Sequence, residues 1–192
     1  MKRINFTYYI PGVLVSTIFF VATGLILLKA WTVEHLGITL AVTSLPLLLL
    51  FIIDRWLWYI TPFRFLLWVP DMRGTYDGTI FYENEKDQPD SLQCQLIVRQ
   101  TGSHISVESS FYKEDGSLSS PSRSNVTSVV KRDDNTHQLI FTYTNEGSDH
   151  LSTHRGTNVL EFRADKTAGK SLTGQYYTNR RTKGTLNVNT NN

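Results

Sequence analysis

Residues 4–28 carry no charged side chain, and residues 36–53 form a second uncharged stretch rich in Leu, Ile, Val and Phe. As a helix, either stretch is long enough to cross about 30 Å of hydrocarbon. Only the seven residues 29–35 separate the two stretches, which suits a tight turn between antiparallel helices. The sequence therefore predicts a transmembrane helical hairpin over residues 1–55.

Basic residues flank this hairpin on one side. Lys2 and Arg3 precede the first stretch, Arg55 and Arg64 follow the second, and only Lys29 lies between them. Cytoplasmic flanks of membrane spans carry an excess of Lys and Arg, so both ends of the hairpin are expected in the cytoplasm. Neither stretch contains Asp, Glu, His, Lys or Arg, which argues against charge-coupled transport.

Residues 56–70 are rich in aromatic side chains and hold three of the four tryptophans, Trp56, Trp58 and Trp68. Tryptophan and tyrosine are enriched where the hydrocarbon meets the lipid headgroups. We expect this segment to lie in the interface and to link the hairpin to the rest of the chain.

After Pro70 the hydrophobic pattern changes to a period of two. Eight short stretches alternate apolar and polar residues, and clusters of Gly, Pro, Asn and Asp separate them. Such strands can form a sandwich or a closed barrel, and closure removes exposed edges. Gly74, Gly78 and Gly174 favour the barrel, because glycine permits strong bending and close backbone approach. We predict a membrane-anchored, mainly β protein with a compact eight-stranded antiparallel β-barrel over residues 71–192.

Charge limits the partners of the predicted barrel. Residues 71–192 hold 14 basic and 15 acidic residues. A nearly neutral domain lacks the field that coats DNA or RNA, so no nucleic-acid polymer is expected as a partner, whereas one small anionic ligand is compatible. The lone Cys94 excludes an internal disulfide framework. Because motifs such as HExxH or a nucleophile elbow are absent, we predict neither a catalytic nor a metal site.

The first and seventh predicted strands share a Gly-x-Tyr pattern that suits ligand binding. Alternation puts Tyr176, Thr178 and Arg180 on one face of the seventh strand, with Arg181 on the other. A ring, a hydroxyl and a guanidinium suit a ligand with stackable bases and phosphates. The alternative is that the tyrosines only pack the core and the arginines are solvated. The predicted ligand-binding residues, expected together at one end of the barrel, are Arg73, Tyr76, Tyr176, Thr178 and Arg180.

A two-span hairpin followed by a compact β-barrel resembles the two-transmembrane β-strand-rich effectors of bacterial CBASS anti-phage systems. The local resemblance rests on RGTYDG at residues 73–78 and LTGQYYTNR at residues 172–180. It implies a receptor without a cofactor, whose barrel binds a cyclic dinucleotide made by a cGAS-like nucleotidyltransferase. The protein would then self-associate into homo-oligomers and disrupt the lipid bilayer. The implied location is the bacterial inner membrane, with the N-terminus and the barrel in the cytoplasm.

Two other functions remain open from the residues alone. A membrane-tethered, lipocalin-like barrel that binds a lipid or another hydrophobic ligand would use the apolar strand faces, but polar Thr178 and Arg180 on the inner face oppose it. An enzyme acting on a lipid-like substrate is the third possibility. Co-expression with a cyclic-dinucleotide synthase separates these functions, because only the effector should arrest growth.

Overall fold

The computed structural model describes residues 6–36, 44–83, 89–113, 115–146, 153–165 and 167–190. Contacts divide the chain into two compact units. The first, named here the helical unit, comprises residues 1–70 and 101–104. The second, named the barrel unit, comprises residues 71–100 and 105–192.

The helical unit contains two α-helices and several short turns. Helix α1 spans Pro11–Leu36 and helix α2 spans Ser44–Ile52, and a π-helical turn over Ile53–Leu57 follows α2. Short 3-10 turns cover Phe6–Tyr8 and Phe63–Leu66. Just before α1, Tyr9 forms an antiparallel bridge with Leu67.

Both predicted boundaries of the first helix are wrong. The helix starts at Pro11 and not near residue 4, because proline suits the first helical position and the residue before it is disfavoured in the helix. At the other end, residues 29–35 are helical where a turn was predicted. They contain neither Gly nor Pro to stop the helix, and the next glycine is Gly37. The connection at residues 37–43 lies outside the described residues.

Within the part of the chain that the structure describes, no helix combines the length and the apolar character needed to cross a membrane. The transmembrane hairpin over residues 1–55 is not confirmed and stays a prediction.

The barrel unit is a closed barrel in which each strand pairs antiparallel with the next and β8 pairs with β1. This topology confirms the predicted eight-stranded barrel over the alternative sandwich. The strands are β1 Gly74–Glu83, β2 Pro89–Gln100, β3 Ile105–Tyr112, β4 Leu118–Lys131, β5 His137–Asn145, β6 His154–Asp165, β7 Gly169–Thr178 and β8 Lys183–Thr190.

Side chains fill the barrel interior unevenly. The end where β1 stops and β8 starts is named here the upper end, and the opposite end the lower end. Fully buried Leu139, Leu160 and Leu172 lie toward the lower end. Buried polar side chains, including Ser120, Ser122 and Asn145, lie toward the upper end. At the lower end, the buried polar groups of Tyr76 and Gln100 are both hydrogen-bonded to Met72.

Two strand glycines let neighbouring strands approach closely, as the sequence predicts. A Cβ on Gly174 would lie 2.1 Å from the backbone oxygen of Val159, and a Cβ on Gly78 would lie 2.1 Å from that of Asn187. Real Cβ atoms do not approach backbone oxygens this closely, so a side chain at either position would push two paired strands apart.

Gly174→Ala is expected to destabilise the barrel by about 2–3 kcal/mol, because overpacking against backbone cannot be relieved by a rotamer change. The thermal midpoint of the barrel should fall by about 5–10 °C. The neighbouring outward-facing Thr173 is the control, and Thr173→Ala should shift the midpoint much less. Similar midpoints for Gly174→Ala and the wild-type protein would contradict this role of the glycine.

Candidate functional site at the upper end of the barrel

Three tyrosines and an Asn–Ser pair line the upper half of the interior. Asn145 Nδ2 donates a hydrogen bond to Ser120 Oγ at 2.9 Å. Burial raises the pKa of Tyr143 to about 12. Burial also raises the pKa of Tyr176, with further contributions from neighbouring Tyr143 and Tyr82. These phenols stay protonated at neutral pH and can donate hydrogen bonds inside the barrel.

The structure places two of the predicted ligand residues, Tyr176 and Thr178, in this region. Tyr176 is buried and its ring lies against Gly184, where a Cβ would come within 2.5 Å of the ring. Thr178 ends β7, and its Oγ1 lies 2.6 Å from Thr182 Oγ1. Both residues therefore hold the end of β7 against the beginning of β8.

Arg73 and Tyr76 lie at the lower end. Arg73 forms a two-point ion pair with Asp71, with Nε–Oδ1 and Nη2–Oδ2 distances of 2.9 Å. Burial alone would raise the pKa of Asp71, but the hydrogen bonds from Arg73 and the charge of Lys170 lower it overall. Tyr76 is fully buried, and its hydroxyl donates to Met72 O at 2.7 Å. In this arrangement both side chains already have partners within the protein.

The expectation that Tyr76 and Tyr176 converge is therefore wrong. Their partners on β8 are Thr190 and Gly184, which lie six residues apart, roughly 20 Å along that strand. The Tyr76 hydroxyl is directed to Met72 at the lower end, whereas the Tyr176 ring packs at the upper end. Alternation gives the face of each tyrosine correctly, but the structure does not bring the two together.

Arg180 and Arg181 lie in the turn between β7 and β8 and not on a strand. Strand β7 ends at Thr178, whose N–H donates to Thr182 O at 3.0 Å across the turn. The predicted strand alternation between the two arginines is wrong for this reason. Arg181 adopts a left-handed backbone with φ of 63°, and both side chains are exposed.

A cavity of about 740 Å³ opens at the upper end beside this turn. It lies where the ends of β1 and β7 meet the beginnings of β2 and β8. Its volume falls within the range of small-molecule sites, roughly 300–1,000 Å³. The cavity is lined by Phe81, Tyr82, Asp90, Ser91, Gln175, Tyr177, Lys183, Gly184 and Thr185.

Two aromatic rings and one cation give this cavity its chemistry. Phe81 and Tyr177 lie on the outer face of the barrel and are 50% and 48% exposed. Lys183 is the cross-strand partner of Tyr177. The Tyr177 hydroxyl donates to Gln175 Oε1, and the Tyr82 hydroxyl donates to Asp90 Oδ2 at 3.1 Å. Exposed aromatic faces can stack on planar rings, and a lysine can bind an anionic group.

None of the five ligand residues predicted from the sequence lines this cavity. Phe81, Tyr177 and Lys183 were not predicted from the sequence, because the predicted ligand groups lie on the inward face of the strands and these side chains face outward. The sequence feature that points to this cavity is Tyr177, which directly follows Tyr176 and lies six residues before Lys183.

Over the described ranges, no three His, Cys, Asp or Glu side chains are grouped so that they could hold a metal ion.

An eight-stranded closed barrel can hold one small ligand at its mouth, and here the cavity with its exposed rings and lysine lies at one end. The family model of the Cap15 cyclic dinucleotide receptor domain matches residues 67–190. The chain belongs to this family, which confirms its resemblance to the receptors of CBASS effectors. The family is one of receptors and not a known catalytic family. No curated protein matches the chain.

Proposed function

We propose that this chain is a membrane-anchored anti-phage effector whose barrel binds a cyclic dinucleotide at the upper end. The messenger comes from a cGAS-like nucleotidyltransferase, and binding causes the chains to oligomerise and disrupt the inner membrane. The observation that carries this proposal is the cavity of about 740 Å³ in a domain of a cyclic dinucleotide receptor family.

The side chains around the cavity match the parts of such a ligand. A cyclic dinucleotide presents two bases and two phosphates. Phe81 and Tyr177 offer exposed rings on which bases can stack. Lys183 offers a cation for a phosphate, and Arg180 and Arg181 lie in the turn between Tyr177 and Lys183. We therefore keep Arg180 as a proposed phosphate contact, while Tyr176 and Thr178 support the strand end beneath it.

The backbone of this turn also supports a functional role. Arg181 occupies the left-handed region, which usually favours glycine or asparagine. An arginine there adds backbone strain, and such strain clusters at ligand-binding sites. We propose that the strained turn holds its guanidinium groups beside the cavity. The lower-end residues Arg73 and Tyr76 are not part of the proposed site.

The exposed surface of the helical unit supports a membrane location. Along α1, Val15, Phe19 and Phe20 are 65–74% exposed. Leu48 and Phe51 on α2 are also exposed. Soluble monomers rarely expose extended apolar surfaces, and a bilayer or neighbouring helices would cover this one. This surface is the basis for proposing that the helices anchor the chain in the inner membrane and associate there.

A lipid-binding barrel is less well supported. Toward the lower end, the interior is occupied by the protein's own side chains, including fully buried Leu139, Leu160 and Leu172. An eight-stranded barrel is just wide enough to be filled in this way. The cavity instead lies at the upper end, beside Lys183 and Asp90.

A reporter enzyme fused after Asn192 is expected to be active only in the cytoplasm, because basic residues flank the apolar segments on one side. The measurement compares a cytoplasmic reporter with one that works only in the periplasm. Activity of the periplasmic fusion would overturn the proposed orientation.

Co-expression of the full chain with a cyclic-dinucleotide synthase is expected to arrest growth and let a membrane-impermeant dye enter the cells. A synthase inactivated at its catalytic residues is the control, since it supplies no messenger. Dye entry with the inactive synthase, or normal growth with the active one, would contradict the proposed function.

A further inference from the structure

A buried carboxylate joins three segments of the helical unit. Asp54 is the second residue after α2 and is only 7% exposed. Tyr9 donates its hydroxyl to Asp54 Oδ1 at 2.8 Å, and Ser103 donates its hydroxyl to Asp54 Oδ2 at 3.1 Å. Both carboxylate oxygens thus hold a segment distant in sequence, one before α1 and one in residues 101–104.

Main-chain hydrogen bonds also hold the loop at residues 101–104 against Asp54. The N–H of Gly102 donates to the backbone oxygen of Asp54 at 2.9 Å, and Thr101 N–H donates to His104 O at 2.8 Å to close the loop. A Cβ on Gly102 would lie 2.5 Å from Tyr9 Oη and 2.9 Å from Asp54 Oδ1. Only a glycine fits here without displacing these atoms.

The energetic cost of burying the Asp54 carboxylate indicates that this cluster does more than fill space. Burying a carboxylate is expensive, and neutral hydroxyl donors offset less of that cost than a paired cation would. An apolar side chain of similar size would stabilise a simple packing contact at least as well. Asp54 also lies in a π-helical turn over Ile53–Leu57, a rare geometry that is frequent at functional sites.

Strand β2 links the ligand cavity to this cluster through the chain itself. Asp90 and Ser91, near the beginning of β2, line the cavity. The strand runs to Gln100, and the next residues are the loop held by Asp54. A shift of β2 on ligand binding would therefore act directly on residues 101–104, and through Asp54 on the end of α2.

We propose that Asp54 is a latch that fixes the 101–104 loop to the end of α2, so that ligand binding in the barrel is transmitted to the helices. Asp54 acts as a positioning residue and does not touch the ligand. The role of Asp54 in transmitting ligand binding rests on the proposed function. Its role in holding the 101–104 loop rests on the contacts of Asp54 alone.

Hydrogen exchange of the full chain in detergent micelles tests the latch without any ligand. In Asp54→Ala, the amides of Thr101 and Gly102 should exchange at least tenfold faster, while amides within β2 and β3 keep their protection. Asp54→Asn retains an acceptor for Tyr9 and a donor for Ser103, so its exchange should stay close to that of the wild-type protein. Exchange at Gly102 within twofold of wild type in Asp54→Ala would overturn the latch.

Dye release from vesicles of phosphatidylethanolamine and phosphatidylglycerol tests whether Asp54 transmits ligand binding to the helices. A panel of cyclic dinucleotides serves as probes. Asp54→Ala should bind the same cyclic dinucleotide within threefold of the wild-type affinity but release at least tenfold less dye. Asp77→Ala is the matched control, because Asp77 accepts a hydrogen bond from Gln95 on the barrel at 2.8 Å. It should leave both readings unchanged.

The outcomes separate the two proposals. Full dye release by Asp54→Ala overturns the transmitting role of the latch. Absence of ligand binding or dye release in the wild-type protein overturns the proposed function, and the exchange experiment still decides whether Asp54 holds the loop.

Discussion

Lys183→Ala is expected to weaken cyclic dinucleotide binding about ten- to a hundredfold. Lys183 is the cation among the residues that line the upper cavity, opposite Tyr177 on the neighbouring strand. A hydrogen bond to a charged group contributes about 1.5–3 kcal/mol, which corresponds to that loss of affinity. Isothermal titration of the full chain in detergent measures the dissociation constant.

Lys131→Ala is the control for this prediction. Lys131 is an exposed lysine at the end of β4, and its removal changes the net charge by the same amount. It should leave the affinity within about twofold, since exposed charges far from the ligand are screened by salt. Equal losses in the two variants would show that only overall charge matters, and the assignment of Lys183 would be wrong.

Removing the two exposed rings is expected to have an even larger effect. Phe81 and Tyr177 are about half exposed at the mouth of the cavity. Stacking of a base on an aromatic side chain contributes about 1–3 kcal/mol. Each alanine substitution should therefore weaken binding roughly five- to a hundredfold, and the double variant should bind too weakly to measure by the same titration.

Tyr177→Phe separates stacking from hydrogen bonding in this test. It keeps the ring and removes only the hydroxyl that donates to Gln175. We expect its affinity to stay within threefold of wild type while Tyr177→Ala loses binding. Thermal midpoints of all variants should lie within a few degrees of one another, because the rings are on the outer face. Unchanged affinity in the double variant would place the ligand elsewhere in the barrel.

The barrel could be predicted from the sequence because two local signals agree. Alternation with a period of two marks the strands, and the glycines at 78 and 174 permit the close strand contacts that the structure shows. Both signals can be read from the sequence alone. An error of one or two residues in a strand boundary therefore does not change the predicted barrel. The same alternation also places Tyr76 and Tyr176 correctly on the inner face, where both are buried.

The site was harder to predict because alternation gives the face of a residue but not its height in the barrel. Height depends on the register between strands, which follows from strand tilt and shear in the closed barrel. Tyr76 and Tyr176 share a motif yet pair with opposite ends of β8. A second limit is the end of β7 at Thr178, beyond which a turn replaces alternation and changes where Arg180 and Arg181 lie.

Cavity residues on the outer face of the barrel were not predicted for a related reason. A search for ligand groups on the inner face passes over Phe81 and Tyr177, because exposed aromatic residues on a strand look like ordinary surface positions in sequence. The strand register shows that Phe81 and Tyr177 border one cavity. It sets Phe81 opposite Thr185 and Tyr177 opposite Lys183.

Titration of the full chain in detergent with a panel of cyclic dinucleotides, covering each pairing of purine and pyrimidine bases, tests whether the barrel binds such a ligand at the upper cavity. We predict saturable binding of at least one member with one ligand per chain, and its loss in Lys183→Ala combined with Tyr177→Ala. Folding of the double variant is checked by its thermal midpoint. Failure of the folded wild-type chain to bind any member of the panel would contradict the proposed function, and unchanged binding by the double variant would contradict the proposed site.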